Sequence, residues 1–306
     1  MPSADMFLAH AKAPDFYEQT TAYLQKHMHT FLRPQERVLI CCVNYGPFSM
    51  AALTEEVLRR EHAIPMLWGP DYRWQALLKQ AFSSRATTII GQPLIILGLA
   101  KLARFTDTPL FIRNVLLGGG PSERWMIESI QHSLDAKIYG CYDPVPGCVI
   151  AGFSCPKQLG VHIRSDAYRV EIVDDRGMPL PEGTCGNIVL MDVSEPALRY
   201  VTGEQGRLSC EPCDCGSHAP LMTEFHAGQD ADPAALQEQL LSWSSVLDYR
   251  AKKTESGLEL ELVTFPGQPL PPLPTCAKRV VRHWDPKQDM PFCLQRKKAD
   301  IFRENH

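Results

Sequence analysis

The chain has 306 residues, 44% of them hydrophobic and 22% charged, which suits one large globular domain or two smaller ones and excludes a disordered chain. Its net charge of -4 gives no basic field that would favour nucleic acid or an anionic membrane. The longest apolar run, residues 88–100, is interrupted by glycine, glutamine and proline, so no membrane-spanning helix is expected. The first residues do not resemble a signal peptide, and the 11 cysteines are irregularly spaced, so we expect a soluble, cytoplasmic protein without a disulfide framework.

Apolar and amphipathic segments alternate through the first half of the chain. After one or two helices within residues 1–33, strands are predicted at 38–43, 64–68, 87–91, 112–119 and 137–140, with helices at 47–61, 72–82, 93–105 and 122–134. This order is typical of βαβ units, and it predicts a mainly parallel sheet flanked by helices. Ligands of such sheets bind at the carboxyl ends of the strands, so the turns after residues 43, 91, 117 and 140 are expected to share one functional rim.

The character of the sequence changes near residue 160 and again near residue 218. Strands with tight turns are predicted at 168–175, 186–193 and 206–210, which indicates a small antiparallel β region. A helix at 233–243, a strand at 258–265 and a proline-rich connector at 267–274 indicate a small α+β unit. The chain is therefore predicted to be α/β, with domains at residues 1–217 and 218–306.

Four segments in a fixed order carry a family resemblance. They are VNYGPFSMAAL at 43–53, LLGGGPS at 116–122, YGCYDPVPGCVIAGFSC at 139–155, and the stretch from VHIRSDAYRV to RYVTGEQG at 161–206. Together they resemble the phenylacetate–coenzyme A ligase branch of the adenylate-forming superfamily of AMP-binding acyl-CoA synthetases. The resemblance covers residues 36–216. It implies a shortened AMP-binding domain at 1–217 with a zinc-stapled β region, and a reduced lid-like domain at 218–306.

The resemblance also implies roles at the nucleotide. Asp143 stands where the family has a glutamate that binds magnesium, and Glu204 stands where it has an aspartate that grips the ribose hydroxyls. Arg199 flanks that acid. The other implied nucleotide contacts are Gly118, Gly119, Gly120, Tyr139, Gly140, Tyr142 and Thr202. Two alternatives stay open: the glycines serve only the geometry of a helix start, and Asp143 is an N-cap or turn aspartate before Pro144.

Other family features are less complete in this chain. Tyr45, Gly46 and Phe48 are implied to line the acyl pocket, and ordinary packing of helix on sheet is the alternative. The family's glycine-rich phosphate loop is not found, since residues 1–42 contain no glycine. A lysine of the lid would be Lys297 or Lys298, and a solvated basic tail is the alternative.

Three cysteines and a histidine form a candidate metal set. Cys155, His162, Cys213 and Cys215 together offer three thiolates and one imidazole, the donors of a structural tetrahedral zinc site. Some members of the family carry a similar arrangement. All four ligands come from the protein, so no position is left for a catalytic water. Cys210 is a competing ligand, and unligated thiols in a reducing compartment are the alternative.

Two functions of different classes follow. The first is ATP- and magnesium-dependent activation of an aryl or acyl carboxylic acid to an acyl-adenylate, with transfer to coenzyme A, a carrier protein or an amine, in a biosynthetic pathway. The second is a catalytically reduced paralogue that binds a carboxylate metabolite or an adenylate, or partners a complete ligase. Neither involves nucleic acid or a membrane, and a homodimer stays open.

Overall fold

A computed structural model of the chain describes residues 14–42, 49–69, 71–119, 122–144, 149–195, 199–227, 234–255, 257–273 and 278–292. These residues form an 11-stranded sheet and a separate 3-stranded sheet, with helices on both faces of the larger one. Across the described part of the chain, no helix is both long enough and apolar enough to cross a bilayer. The predicted α/β fold class is confirmed.

The first half of the large sheet is parallel, in the order β2-β1-β3-β4-β5. Its strands are β1 (Arg37–Cys41), β2 (Ile64–Leu67), β3 (Thr88–Gly91), β4 (Asn114–Leu117) and β5 (Lys137–Tyr142). The helices around them are α1 (Pro14–Met28), α2 (Met50–Arg60), α3 (Trp74–Ser83), α4 (Pro93–Phe105) and α5 (Arg124–Leu134). β1, β3 and β4 are buried along almost their whole length, as expected for strands covered by helices on both faces.

Local sequence sets where two of these helices begin. The Ser49 side chain accepts a hydrogen bond from the backbone N–H of Ala52 at 3.2 Å and caps α2, which begins at Met50; residues 47 and 48 of the predicted helix lie outside the described residues. Pro93 occupies the first turn of α4, where its missing N–H costs nothing. Each helix starts just after a strand, so both N-termini lie at the rim formed by the strand carboxyl ends.

The second half of the sheet is antiparallel and continues directly from β5. Its strands are β6 (Gly152–Ser154), β7 (Val161–Ile163), β8 (Tyr168–Val173), β9 (Cys185–Asp192), β10 (Arg199–Ser209) and β11 (Leu221–Ala227). They follow β5 in the order β6-β7-β11-β10-β9-β8. The register of β10 against β9 shifts between Val201 and Gln205, which marks a bulge. The β region predicted after residue 160 is thus an extension of the parallel sheet.

The C-terminal unit consists of α6 (Ala234–Leu241), β12 (Val246–Thr254), β13 (Gly257–Thr264) and β14 (Lys278–His283). β13 pairs antiparallel with β12 and parallel with β14. The predicted helix and the strand at 258–265 are present, whereas β12 and β14 had not been predicted. The division of the chain at residue 217 stays a prediction.

The elements stack in layers. One apolar cluster joins α1 and α2 to one face of the parallel strands. A larger cluster joins the opposite face to α3, α4 and α5, and it continues into buried residues of the C-terminal unit such as Leu240, Val246 and Leu262. The helix layer α3–α5 is therefore covered on both sides, by the large sheet and by the small one.

Candidate functional site

The rim at the carboxyl ends of β4 and β5 holds the first part of the candidate site. Gly118 and Gly119 follow β4, and Asp143 follows β5. The backbone N–H of Gly119 donates to Asp143 Oδ1 at 2.6 Å, so the glycine turn and the acid are in direct contact. Gly119 has φ of 81°, a conformation that favours glycine. Parallel strands side by side make this meeting possible, as the alternation of strands and helices predicted.

The glycines of this rim differ in whether the structure leaves room for a side chain. A Cβ at Gly118 would stand 3.6 Å from its neighbours, and one at Gly140 would meet only Ser154 at 3.7 Å, both ordinary contacts. At Gly119 a Cβ would approach the Gln92 side chain at 3.1 Å and would also meet the positive φ. Of the glycines that the structure describes at this rim, Gly119 therefore has the clearest structural requirement.

Glu204 lies in the bulge of β10, on the same face of the strand as Tyr200 and Thr202. Gly203 has φ of 76°, and the Thr202 hydroxyl accepts the backbone N–H of Glu204 at 3.1 Å while donating to the carbonyl of Ile188 at 3.2 Å. Together the positive φ and the threonine contacts hold the irregular backbone. Thr202, implied as a nucleotide contact, thus lies beside Glu204 and supports its position.

Glu204 faces Tyr142, the last residue of β5. The Tyr142 ring is buried against Phe225, with ring centroids 5.0 Å apart. Burial raises the pKa of the Glu204 carboxyl, and the nearby Tyr142 hydroxyl offsets part of that rise. Burial, followed by the charge of Glu204, raises the pKa of Tyr142. Among the described residues, neither the Tyr142 hydroxyl nor Glu204 Oε2 has a partner in ideal hydrogen-bonding geometry, yet the two groups lie close enough for each to shift the pKa of the other, so they form a strained, partly satisfied pair.

Two residues implied at the nucleotide lie elsewhere. Arg199 is half-exposed and forms an ion pair with Glu171, on the opposite face of β10 from Glu204. The Tyr139 ring stacks on Phe31 with centroids 4.1 Å apart, in the apolar cluster on the α1 and α2 face. The structure does not bring either side chain together with the Gly119–Asp143 contact. Tyr45, Gly46, Phe48, Gly120, Lys297 and Lys298 lie outside the described residues.

The four predicted metal ligands converge. Cys155 follows β6, His162 lies in β7, and Cys213 and Cys215 lie in the turn between β10 and β11; their ligand atoms are all within 4.8 Å of one another. The sulfurs of Cys155 and Cys213 are 3.7 Å apart. Two thiolates bound at about 2.3 Å to one tetrahedral zinc would stand about 3.8 Å apart. Donor set and spacing therefore fit a single zinc ion, and Cys210 is exposed and outside the set.

The surroundings of the cluster favour ligation. His162 Nδ1 lies 3.0 Å from the carbonyl oxygen of Ala219, which can accept only if Nδ1 carries the proton, so Nε2 is left to face Cys215 Sγ at 3.1 Å. A hydrogen bond from the Ser217 backbone, followed by contacts with Cys213 and His162, lowers the pKa of Cys215 to about 7. A thiolate is the form that binds metal.

One glycine that shapes this cluster was missed in the sequence. Gly160 has φ of 149°, and its carbonyl accepts the backbone N–H of Cys155 at 2.8 Å. A Cβ there would stand 2.3 Å from the carbonyl oxygen of Met222. The sequence did contain a signal for this role. Gly160 lies between the candidate ligands Cys155 and His162, where the chain must turn tightly to bring the two together.

Comparisons with known proteins bear on the identity of this fold. No model of a known protein family matches the chain. A phenylacetate-coenzyme A ligase of Thermus thermophilus is 33% identical over 115 residues, which are 35% of this chain and 25% of that ligase. The chain thus spans a quarter of the length of the curated relative that it matches.

Solved structures match over most of the chain. A 2-hydroxyisobutyryl-CoA ligase in the postadenylation state, in complex with R3-HIB-AMP, has a TM-score of 0.68 at 17% identity, covering 90% of this chain and 67% of that one. A benzoate CoA ligase from Burkholderia xenovorans LB400 has a TM-score of 0.55 at 11% identity, covering 86% and 62%. An anthranilate CoA ligase, AuaEII, in complex with anthranoyl-AMP, has a TM-score of 0.54 at 11% identity, covering 92% and 63%. At these identities the likeness shows the fold. The chain therefore has the fold of the adenylate-forming CoA ligases, and the resemblance of its motifs to the phenylacetate–coenzyme A ligase branch is confirmed.

Proposed function

We propose that the chain binds an adenine nucleotide and activates a carboxylic acid with ATP, forming an acyl-adenylate and releasing pyrophosphate. The single observation that carries this proposal is the convergence of the Gly119–Asp143 contact and the Glu204–Tyr142 pair. Tyr142 and Asp143 are consecutive at the end of β5, and the charges of Asp143 and Glu204 both act on Tyr142, which supports assigning the glycine turn and Glu204 to one site. The matched ligases bear the names of enzymes that join carboxylic acids to coenzyme A.

The residues present suit the parts of an adenylate. A sugar with two adjacent hydroxyls would provide well-aligned hydrogen-bond donors to Glu204 Oε2, which has none in ideal geometry among the described residues. The Gly118–Gly119 turn offers a backbone surface without side chains, on which adenine can lie. Asp143 provides hard carboxylate oxygen, which magnesium prefers, near the phosphates. Magnesium there would balance the charge that develops on the phosphates during attack by the carboxylate.

We further propose that Cys155, His162, Cys213 and Cys215 hold a structural zinc ion. The ligands lie on the β6–β7 and β10–β11 connections. A metal there would fix β10, which carries Glu204, relative to β6, the neighbour of β5. Its role is to hold the site's geometry, because the protein provides all four ligands.

The acceptor of the acyl group is proposed to be coenzyme A, with a carrier protein as the other candidate. An acyl-adenylate is a mixed anhydride, and a thiol that attacks its carbonyl forms a thioester and releases AMP. The proposal rests on the names of the matched ligases, two of which describe adenylates bound to the protein.

The test is exchange of labelled pyrophosphate into ATP, with magnesium and a panel of aryl and short acyl acids. We expect acid-dependent exchange that falls at least about 100-fold in Glu204→Ala and Asp143→Ala, because each removes a group that positions the nucleotide. Glu195→Ala, at an exposed position, is the matched control and should retain the exchange. Wild-type protein without exchange for any acid would contradict the enzymatic proposal.

One observation favours a second candidate function, a binding module without turnover. The Asp143 carboxylate accepts the Gly119 N–H, so this acid already has a structural task in the turn. If Asp143 only holds the turn and does not bind magnesium, the site binds an adenylate or AMP but does not promote attack of a carboxylate on ATP. This candidate predicts AMP-induced thermal stabilisation of the protein together with no pyrophosphate exchange.

Glu204→Gln separates binding from stability. Burial raises the pKa of Glu204, so the folded state holds this proton more tightly than the unfolded state, and the stability that the group contributes falls as the pH rises through the raised pKa. Above the pKa that a carboxyl group has in the unfolded chain, burial of Glu204 therefore opposes folding. We therefore expect Glu204→Gln to raise the melting temperature of the ligand-free protein by a few degrees at pH 7, with the difference vanishing near pH 4.

The same variant should lose most of the stabilisation that AMP confers, because the amide lacks the charge that strengthens hydrogen bonds from ribose hydroxyls. Differential scanning fluorimetry at pH 4, 5.5 and 7, with and without AMP, measures both effects. A melting temperature at pH 7 below that of the wild type, or an unchanged response to AMP, would argue against this role of Glu204.

A further inference from the structure

Helix α4 is buried on all of its sides. Ten of its residues are buried, from Pro93 through Ala103, and they face both the large sheet and the C-terminal unit. A helix that is apolar all round needs cover on every face. The C-terminal unit provides the outer cover, so its removal would expose an apolar face of the central helix layer.

A buried lysine joins α4 to the C-terminal unit. Lys101 Nζ donates to the carbonyls of Leu241 at 2.5 Å, Val246 at 2.8 Å and Trp243 at 3.1 Å. These carbonyls lie at the end of α6 and the start of β12, so the lysine caps an element of another unit. Three acceptors use all three protons of an ammonium group. Asp248 is the acidic group whose charge acts on this lysine, and its own carboxylate accepts the backbone N–H of Phe292 at 2.8 Å.

An aromatic seam continues the contact towards the end of α4. The rings of Phe105 and Phe265 stack with centroids 4.3 Å apart and planes 10° apart. Trp284 meets both rings edge-on, at 6.4 Å and 6.2 Å. At the start of α3, the backbone N–H of Trp74 donates to the carbonyl of Asp289 at 3.0 Å. The unit is thus held by apolar, charged and backbone contacts together.

These contacts lie along the flank of the helix layer. α4 starts at the rim with Pro93, so Lys101 and Phe105 lie roughly 12 Å and 18 Å further along the helix axis, at about 1.5 Å per residue. We propose that the C-terminal unit is a permanent fourth layer of the fold, locked to α4 through Lys101 and the Phe105–Phe265 stack, and that it does not swing over the candidate site as a lid. Chemistry at the site then proceeds with residues of the large sheet and its rim, without domain rotation.

Hydrogen exchange of the unmodified protein, first without and then with ligands, tests this inference directly. We expect the amides of α6 and β12 to exchange within about tenfold of the rates in β3 and β4, because all of them are released only when the whole protein unfolds. Addition of AMP, magnesium and a carboxylic acid should leave the exchange of α4 unchanged. Exchange in α6 and β12 more than about 100-fold faster than in β3 would overturn the proposal, as would a ligand-dependent rise in α4.

Lys101→Met provides the second measurement. It keeps an unbranched side chain one atom shorter than lysine but leaves three carbonyls of the interface without a donor, so the melting temperature of the protein should fall by roughly 5 °C or more in one transition. Lys79→Met, at an exposed position of α3, is the matched control and should change it by at most about 1 °C. Equal effects of the two variants, or two separate unfolding transitions in the wild type, would refute the lock. If Lys101→Met does not fold, the exchange experiment on the wild type decides.

Discussion

Cys213→Ser is expected to release zinc and to lower the free energy of unfolding by about 4 kcal/mol or more. Cys213 is buried, its sulfur lies 3.7 Å from that of Cys155, and it shares the cluster with His162 and Cys215. Binding of a structural zinc ion is worth about 10 kcal/mol or more and is linked to folding, so loss of one thiolate weakens both. Metal analysis of protein purified without chelators, with urea unfolding of the same sample, measures the two effects.

The matched control lies three residues away. Cys210→Ser changes an exposed thiol outside the cluster, so zinc content should stay close to one per chain and stability should change by less than about 0.5 kcal/mol. This control also resolves the alternative in which Cys210 is a ligand. A wild-type protein that is folded, free of zinc and unable to bind added zinc would refute the metal site.

Gly160→Ala is expected to destabilise the protein by about 3 kcal/mol or more and to weaken zinc binding. The added Cβ would stand 2.3 Å from the carbonyl oxygen of Met222, and φ of 149° is a conformation that side chains rarely adopt. Both the clash and the backbone strain must be relieved by moving the turn between Cys155 and His162. Urea unfolding and zinc titration, each performed on the variant and the wild type, give the two magnitudes.

Gly177→Ala is the control that separates the cost of backbone strain from the cost of the steric clash in Gly160→Ala. Gly177 also has a positive φ, 78°, but a Cβ there would meet nothing within 4 Å. We expect a cost of about 1 kcal/mol and unchanged zinc affinity for this variant. If Gly160→Ala cost no more than Gly177→Ala, the close approach of Gly160 to the β11 backbone would not be needed for the fold.

The parallel half of the fold could be predicted because its signals are local. β1, β3 and β4 are continuous apolar runs, and each is followed by a helix of matching period. The metal cluster could be predicted as well, since thiol and imidazole side chains in such a set have few other uses. The residue types were enough to select the four ligands. The strand order β6-β7-β11-β10, which brings them together, could be obtained only from the structure.

Other features depended on geometry that a linear pattern does not contain. Glu204 and Arg199 lie on opposite faces of β10, as strand alternation expects for positions five apart, but the motif does not reveal the bulge that holds Glu204. Tyr139 stacks on Phe31, a partner from a segment that the motifs do not cover. The docking of the C-terminal unit is a long-range contact, although a helix apolar on every side, α4, was a signal that a further layer would cover it.

Isothermal titration of the purified protein with AMP and magnesium tests the central claim, that the rim of β4 and β5 together with Glu204 forms an adenylate site. We predict one AMP bound per chain, with an affinity that falls at least about tenfold in Glu204→Ala and is unchanged in Glu195→Ala, because only the first removes the acid that we propose as the partner of the sugar hydroxyls. No heat of binding at millimolar AMP, or equal affinity in the wild type and Glu204→Ala, would contradict the claim.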